Sequence, residues 1–211
     1  MIKAVIFDLF GTLAESSCNP EEKIRKEFKL EHDYSLVEKL VCGTEFRNFD
    51  NYIQAIMNGV NIPNTSRNIK RITNIFNIDV LNAKLLPETR KVVHALKKRG
   101  CKLGVISNIP NPKYDVLAKE GVQSMFNSIV YSYECGLIKP DPAIFQLALK
   151  QLGIKPHEAI MIGDSVKSDI EGASALGLQT LLIDHRNKYL NHNGSRVNSL
   201  EKVPEYISSQ I

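Results

Sequence analysis

The stretch Lys3-Ala4-Val5-Ile6-Phe7-Asp8-Leu9-Phe10-Gly11-Thr12-Leu13 decides how the rest of the chain is read. Residues 4–7 form a short apolar run rich in β-formers, the pattern of a strand buried on both faces of a parallel sheet. Asp8 stands at its carboxyl end, and Gly11-Thr12 signals a loop. Working outward, comparable runs occupy residues 102–106, 128–131, 159–162 and 179–183, each separated from the next by a helical stretch or a turn. That alternation predicts an α/β fold, a Rossmann-like doubly wound parallel sheet.

The intervening segments support this. Residues 88–98 place Val92, Val93, Ala95 and Leu96 on one face with basic residues opposite, and Gly100 follows where a left-handed helix stop is expected. Residues 142–152 open with Pro142 in the first turn and close at Gly153, and residues 169–176 close at Gly177, so the chain from Ser168 reads as helix. Residues 16–85 differ, with helix-period apolar residues and no clear buried strand. Pro63, Asn64, Thr65 and Ser66 read as a loop between two helices, and Pro87 marks the return to the sheet. The expected organisation is a discontinuous core of residues 1–15 and 86–211 with a helical cap of residues 16–85.

Composition excludes several classes. The 211 residues are 43% hydrophobic and 24% charged, ordinary for a globular protein. The net charge of +4 arises from 27 basic and 23 acidic side chains with no long basic run, so nucleic-acid binding is not indicated. Cys18, Cys42, Cys101 and Cys135 are widely spaced, without CxxC or a nearby His at zinc spacing, which fits four reduced thiols and a cytoplasmic location. The N-terminal apolar run is too short for a signal segment, and no stretch reaches membrane-spanning length. His157, His185 and His192 are read as surface or structural histidines, and oligomeric state is left open.

In an open parallel sheet, ligands bind beyond the carboxyl ends of the strands, where polar residues from separate strands converge. Four such placements occur: Asp8 with Thr12, Ser107 with Asn108, Lys139 before Pro140, and Gly163-Asp164 with Asp169. The motifs that contain them are Phe7-Asp8-Leu9-Phe10-Gly11-Thr12-Leu13, Ile106-Ser107-Asn108, Lys139-Pro140-Asp141-Pro142-Ala143-Ile144-Phe145 and Ile162-Gly163-Asp164-Ser165-Val166-Lys167-Ser168-Asp169. In order, they resemble the four motifs of the haloacid dehalogenase superfamily, and the resemblance spans nearly the whole chain.

The resemblance implies a hydrolase with Asp8 as covalent nucleophile, splitting one hard displacement into two easier ones. Ser107 and Lys139 match the family's groups that complement the negative charge of a phosphoryl group in transfer, and Thr12 and Asn108 would contact substrate. Carboxylates facing a phosphate repel it unless a hard cation intervenes. The resemblance accordingly implies Mg²⁺, held by Asp8, Asp164, the Phe10 backbone carbonyl and, as ligand or support, Asp169. The cap would close over Asp8, exclude water and select a small phosphorylated substrate.

One position departs from the pattern. Phosphatases of this family place a second aspartate two residues after the nucleophile as acid and base; this chain has Phe10 there. Loss of acid-base help typically costs about 10²- to 10⁴-fold in rate. An aromatic at this position resembles the 2-haloacid dehalogenases, whose halide leaves without a proton, and Phe46-Arg47 followed by Tyr52 loosely resembles their halide-binding segment, with Arg47 as the candidate. Against this, Asp164 keeps the metal-binding form of the fourth motif. Three readings stand: a Mg²⁺-dependent phosphatase, a 2-haloacid dehalogenase, and a non-catalytic binder of a phosphorylated ligand.

Overall fold

The computed structural model describes residues 1–15, 20–30, 49–109 and 112–210. The opening apolar run forms β1 (Ala4–Phe7), every residue of which is buried. The other strands are β2 (Ala14–Glu15), β3 (Lys84–Leu85), β4 (Lys102–Ser107), β5 (Ser128–Tyr131), β6 (Ala159–Gly163), β7 (Gln179–Ile183) and β8 (Arg196–Val197). Six of them build an all-parallel sheet in the order β5-β4-β1-β6-β7-β8. From β1 the chain steps outward to β4 and β5, then crosses back over β1 to β6. The connections diverge at β1, the place where an open α/β sheet leaves a crevice for ligand.

Between β2 and β3 run α1 (Pro20–Phe28), α2 (Phe49–Gly59) and α3 (Ser66–Asn82). The predicted loop containing Pro63 and Asn64 separates the last two. β2 and β3 pair antiparallel, Ala14 opposite Leu85 and Glu15 opposite Lys84, so both ends of the helical insert leave the sheet side by side. Two residues per strand is too short to register as a strand pattern, which is why the sequence did not reveal this ribbon. Tyr52, Ile53, Ile56 and Met57 of α2 are buried, as are Ile72 and Phe76 of α3, the i, i+4 pairs of two amphipathic helices. Tyr52 thus belongs to packing: its ring lies 5.6 Å from Phe49 and 5.1 Å from Phe76. Arg47 and Phe46 lie outside the described residues.

The remaining helices are α4 (Thr89–Lys98), α5 (Val116–Lys119), α6 (Ser132–Cys135), α7 (Pro142–Leu152), α8 (Gly172–Ser174) and α9 (Val203–Ser208). Alternation along β1 explains the layers. Val5 and Phe7 join Leu103, Val105, Val92, Leu96 and Ile207 on one face, where α4 and α9 pack. Ala4 and Ile6 join Val130, Met161, Ile144, Phe145 and Leu149 on the other, under α7. Each fully buried Val, Ile, Leu or Phe contributes about 1.5–3 kcal/mol, so the sheet is the mechanical base on which the strand-end loops stand. Helix α7 begins at Pro142 and stops at Gly153 in the left-handed region, as read from the sequence.

One helix departs from expectation. In place of a regular helix from Ser168, a π-helical stretch, Val166–Glu171, precedes the single turn of α8. Ser165 Oγ accepts the Ser168 amide at 3.1 Å, and the Ser165 carbonyl accepts both the Asp169 and Ile170 amides, at 3.0 and 3.3 Å. Sharing one carbonyl between two amides widens the turn, a distortion common at functional sites. No helix among the described residues is long and apolar enough to cross a membrane.

Candidate active site

Beyond the carboxyl end of β1 the chain turns sharply. The Leu9 carbonyl accepts the Leu13 and Ala14 amides at 2.9 and 2.8 Å, and Gly11 donates to the Ala14 carbonyl at 2.8 Å. Gly11 has φ +87°, and a Cβ there would fall 2.5 Å from Asp164 Cγ. Only glycine meets both demands, so the loop after β1 can press against the loop after β6. The Asp8 amide donates to the Ile162 carbonyl at 2.9 Å, fixing the first carboxylate beside β6.

Four of the strand-end residues picked from the sequence meet here. Lys139 Nζ donates to Asp8 Oδ1 at 2.5 Å and to Asp169 Oδ1 at 2.6 Å. Lys139 is 4% exposed and Asp169 1%, so this lysine is no surface side chain. Asp8, Asp164 and Asp169 offer carboxylate oxygens within 4.8 Å of one another. Three carboxylates against one lysine leave two negative charges uncompensated in a buried place. Burial pushes the Asp8 carboxyl up to about 7; Lys139 opposes this, while Asp169 and Asp164 add to it. Burial likewise raises Asp164 to about 6, with Asp169 adding and Lys139 opposing. For Lys139, burial favours the neutral amine, but Asp169 and Asp8 outweigh it and hold the ammonium above its ordinary value.

The supports differ in kind. Asp169 has both oxygens engaged, Oδ1 by Lys139 and Oδ2 by the Ser165 amide at 3.0 Å. Gly163 makes room for it, since a Cβ at that position would lie 2.6 Å from Asp169 Cβ. Asn108 grips the lysine's main chain: Nδ2 donates to the Lys139 carbonyl at 3.1 Å and Oδ1 accepts the Lys139 amide at 2.9 Å. Ser107 is buried at the end of β4, two strand positions along the sheet from β6. Thr12 is wholly buried with its hydroxyl unpartnered among the described residues. The Phe10 ring meets Tyr114 edge to face at 6.2 Å, and Tyr114 meets Phe76 of α3 at 6.3 Å, so the position next to the first carboxylate is tied by aromatic packing to the helical insert.

The donor set suits a hard cation, because carboxylate oxygens clustered in excess of the local positive charge are what Mg²⁺ or a similar ion neutralises. Asp8 Oδ2 and the Asp164 carboxylate are the oxygens not already spent on Lys139 or Ser165.

The same strand-end rule applied to β7 reaches a residue that the motif reading passed over. Asp184 follows Ile183 directly, is 3% exposed, and its carboxylate accepts the amides of Lys188 and Tyr189 at 2.8 Å each and Arg196 Nη1 at 2.9 Å. The loop it organises, with His185, Arg186, Lys188 and Tyr189, borders a cleft of about 440 Å³ whose other walls include Gly11, Glu15, Leu86 and Asp164. His185 is exposed, as read from sequence, but on the rim of this cleft.

The chain resembles known proteins over nearly its whole length. A glyceraldehyde 3-phosphate phosphatase of Methanocaldococcus jannaschii is 28% identical over 99% of this chain and 98% of that protein. A second enzyme of that name, from Methanopyrus kandleri, is 32% identical over 90% of this chain and 86% of its own length. Among solved structures, the 2-haloacid dehalogenase of Pseudomonas syringae pv. Tomato DC3000 superposes with a TM-score of 0.69 at 19% identity over 100% of both chains, a likeness of fold. The family model for haloacid dehalogenase-like hydrolases matches residues 2–177, a span that holds all four strand-end placements and the adjoining strands β5, β4, β1 and β6, and the chain belongs to that family of hydrolases.

Proposed function

We propose that the protein is a Mg²⁺-dependent phosphatase acting on a small phosphorylated metabolite, with Asp8 as nucleophile. The observation that carries this reading is the crowding of Asp8, Asp164 and Asp169 around a single buried lysine. A 2-haloacid is itself an anion, and it would meet uncompensated negative charge in such a site without a cation. A phosphate ester with a divalent cation balances it. The similar archaeal proteins named glyceraldehyde 3-phosphate phosphatase favour the same chemistry.

In this reading Asp8 attacks phosphorus as the ester P–O bond breaks and the alkoxide or phenoxide leaves, and water then cleaves the aspartyl phosphate to inorganic phosphate and free Asp8. Lys139 does two jobs: it keeps Asp8 ionised and aimed, and its ammonium faces the charge that gathers on the phosphoryl oxygens. Asp169 and Asn108 position Lys139, one at its ammonium and one at its main chain. Ser107 supplies a hydroxyl to a phosphoryl oxygen. Asp8, Asp164 and the Phe10 carbonyl would hold Mg²⁺, with Asp169 in support. When bound, the ion neutralises the carboxylates and draws charge from the phosphoryl group. Residues 16–85 serve as the cap that covers the site.

Phe10 shapes the reactivity. No proton donor stands at the family's acid position, so turnover depends on the leaving group and aryl phosphates react far faster than alkyl phosphates. The test is hydrolysis of 4-nitrophenyl phosphate with Mg²⁺ and with EDTA, using Asp8→Asn as control. Metal-dependent turnover absent from the variant supports the proposal. Full activity in Asp8→Asn, or turnover indifferent to EDTA, refutes it. Phe10 itself favours one other reading, dehalogenation, which halide release from a 2-haloacid in EDTA would establish instead.

A further inference from the structure

We infer that the loop built on Asp184 is a specificity element that binds a second anionic group of the substrate, so that the preferred substrate is a small phosphate ester with a carboxylate or second phosphate at its far end. This deepens the phosphatase reading and rests on it for the identity of the first anion.

Asp184 is buried and saturated with donors: two amides of its own loop and the Arg196 guanidinium. The Asn187 amide adds a bond to the Asp184 carbonyl at 3.1 Å. These bonds fix the backbone of residues 184–189 as a turn, which sets where Arg186 and Lys188 leave the chain at the cleft. Arg186 and Lys188 are exposed and, among the described residues, form no ion pair or side-chain hydrogen bond. By contrast, Lys139, Arg196 and Lys84 all pair with carboxylates.

Position gives the two cations their purpose. The cleft they border is also lined by Gly11 and Asp164, so it opens beside one carboxylate of the cluster near which the transferred phosphoryl group would sit. Lys188 lies near enough to Asp164 for its charge to act on that carboxyl. At about 440 Å³ the cleft fits a small metabolite. Of the other two acids on its wall, Asp184 is saturated by its own loop and Arg196, and Glu15 is paired with Lys84 at 3.4 Å. A neutral far end would leave Arg186 and Lys188 unused; an anionic far end gains charge-assisted hydrogen bonds from both, Arg186 in a bidentate fork.

Non-hydrolysable probes separate this from catalysis. Binding of propylphosphonate, 3-phosphonopropanoate and propane-1,3-bisphosphonate is measured by calorimetry with Mg²⁺ on the unmodified protein, on Arg186→Ala/Lys188→Ala, and on the charge-preserving Arg186→Lys/Lys188→Arg. The expected result is about tenfold or tighter binding of at least one doubly anionic probe over propylphosphonate. That preference should vanish in the alanine pair and persist in the charge-preserving pair; which probe wins tells carboxylate from phosphate. Equal binding of all three probes, or a preference that survives the alanine pair, overturns the inference. Turnover of 4-nitrophenyl phosphate reports separately on the phosphatase reading, because that substrate has no far anion: activity without probe preference sinks only the loop, and probe preference without activity sinks only the chemistry.

Discussion

Asp8 and Asp184 are both buried aspartates set just past the carboxyl ends of parallel strands, β1 and β7, yet their surroundings push them in opposite directions. Asp184 has three donors and no competing acid; burial works against its charge, but the Tyr189 and Lys188 amides and Arg196 overcome it and hold the carboxyl below its ordinary value. Asp8 shares one lysine with Asp169 and faces Asp164, and its carboxyl rises to about 7. Burial alone therefore does not mark a reactive carboxylate. The ratio of donors to acids does: a satisfied acid organises a loop, and an under-satisfied one is kept at a cost in stability that a substrate or cation relieves.

The largest effect that would test this contrast is on turnover. Asp8→Asn should abolish phosphatase activity, on the order of 10⁴-fold or more, in a steady-state assay with 4-nitrophenyl phosphate. Asp184→Asn should leave that rate within about twofold while lowering the melting temperature, because an amide cannot accept from all three donors at once. Equal losses of activity in the two variants would erase the distinction.

Next in size is the missing acid. Phe10→Asp should raise alkyl phosphate hydrolysis about 10²-fold with little change for aryl phosphates, read as a ratio of kcat/KM values. The same change removes the ring that meets Tyr114, so a somewhat lower melting temperature is expected alongside. No gain on alkyl phosphates would mean that the leaving oxygen is protonated from elsewhere.

The smallest effect is on stability against pH. In EDTA at pH 5, folded Asp8 and Asp164 hold protons that an unfolded aspartate, with its value of 3.8, has mostly released. That linkage favours the folded state at low pH and is lost as pH rises through about 6 and 7. The melting temperature of the unmodified protein should accordingly fall, relative to Asp8→Asn, between pH 5 and pH 8, and Mg²⁺ should narrow the gap. Asp184 acts with the opposite sign, its contribution present above the ordinary aspartate range and lost only in acid. A gap that stays constant across this range would show Asp8 to be ordinary.

Much of this was legible in the residues. The five long strands appear where short apolar runs end in polar residues, because a strand buried on both faces has no alternative composition. Helix α7 runs between Pro142 and Gly153 as its punctuation specifies. Asp8, Lys139, Asp164 and Asp169 were found through strand-end placement and motif order. Asp184 obeys the same placement rule, but it stands in no motif, and its partners Arg196, Lys188 and Tyr189 gain meaning only once the turn has folded.

The sequence by itself determined the class of fold, the family and the cast of strand-end residues, since periodicity, punctuation and motif order are local properties of the chain. Tertiary structure decided what each residue became. It set the strand order that puts β6 beside β1, the burial that turns Lys139 from a plausible surface lysine into a bridge between two carboxylates, and the π-helical turn that brings Asp169 to that lysine. It also separated an aspartate after β7 whose charge its neighbours favour from one after β1 whose charge burial and two nearby acids oppose. The reason is physical: a carboxylate's behaviour depends on how many donors and acids surround it in space, and for Asp8 those neighbours lie 131 residues or more along the chain.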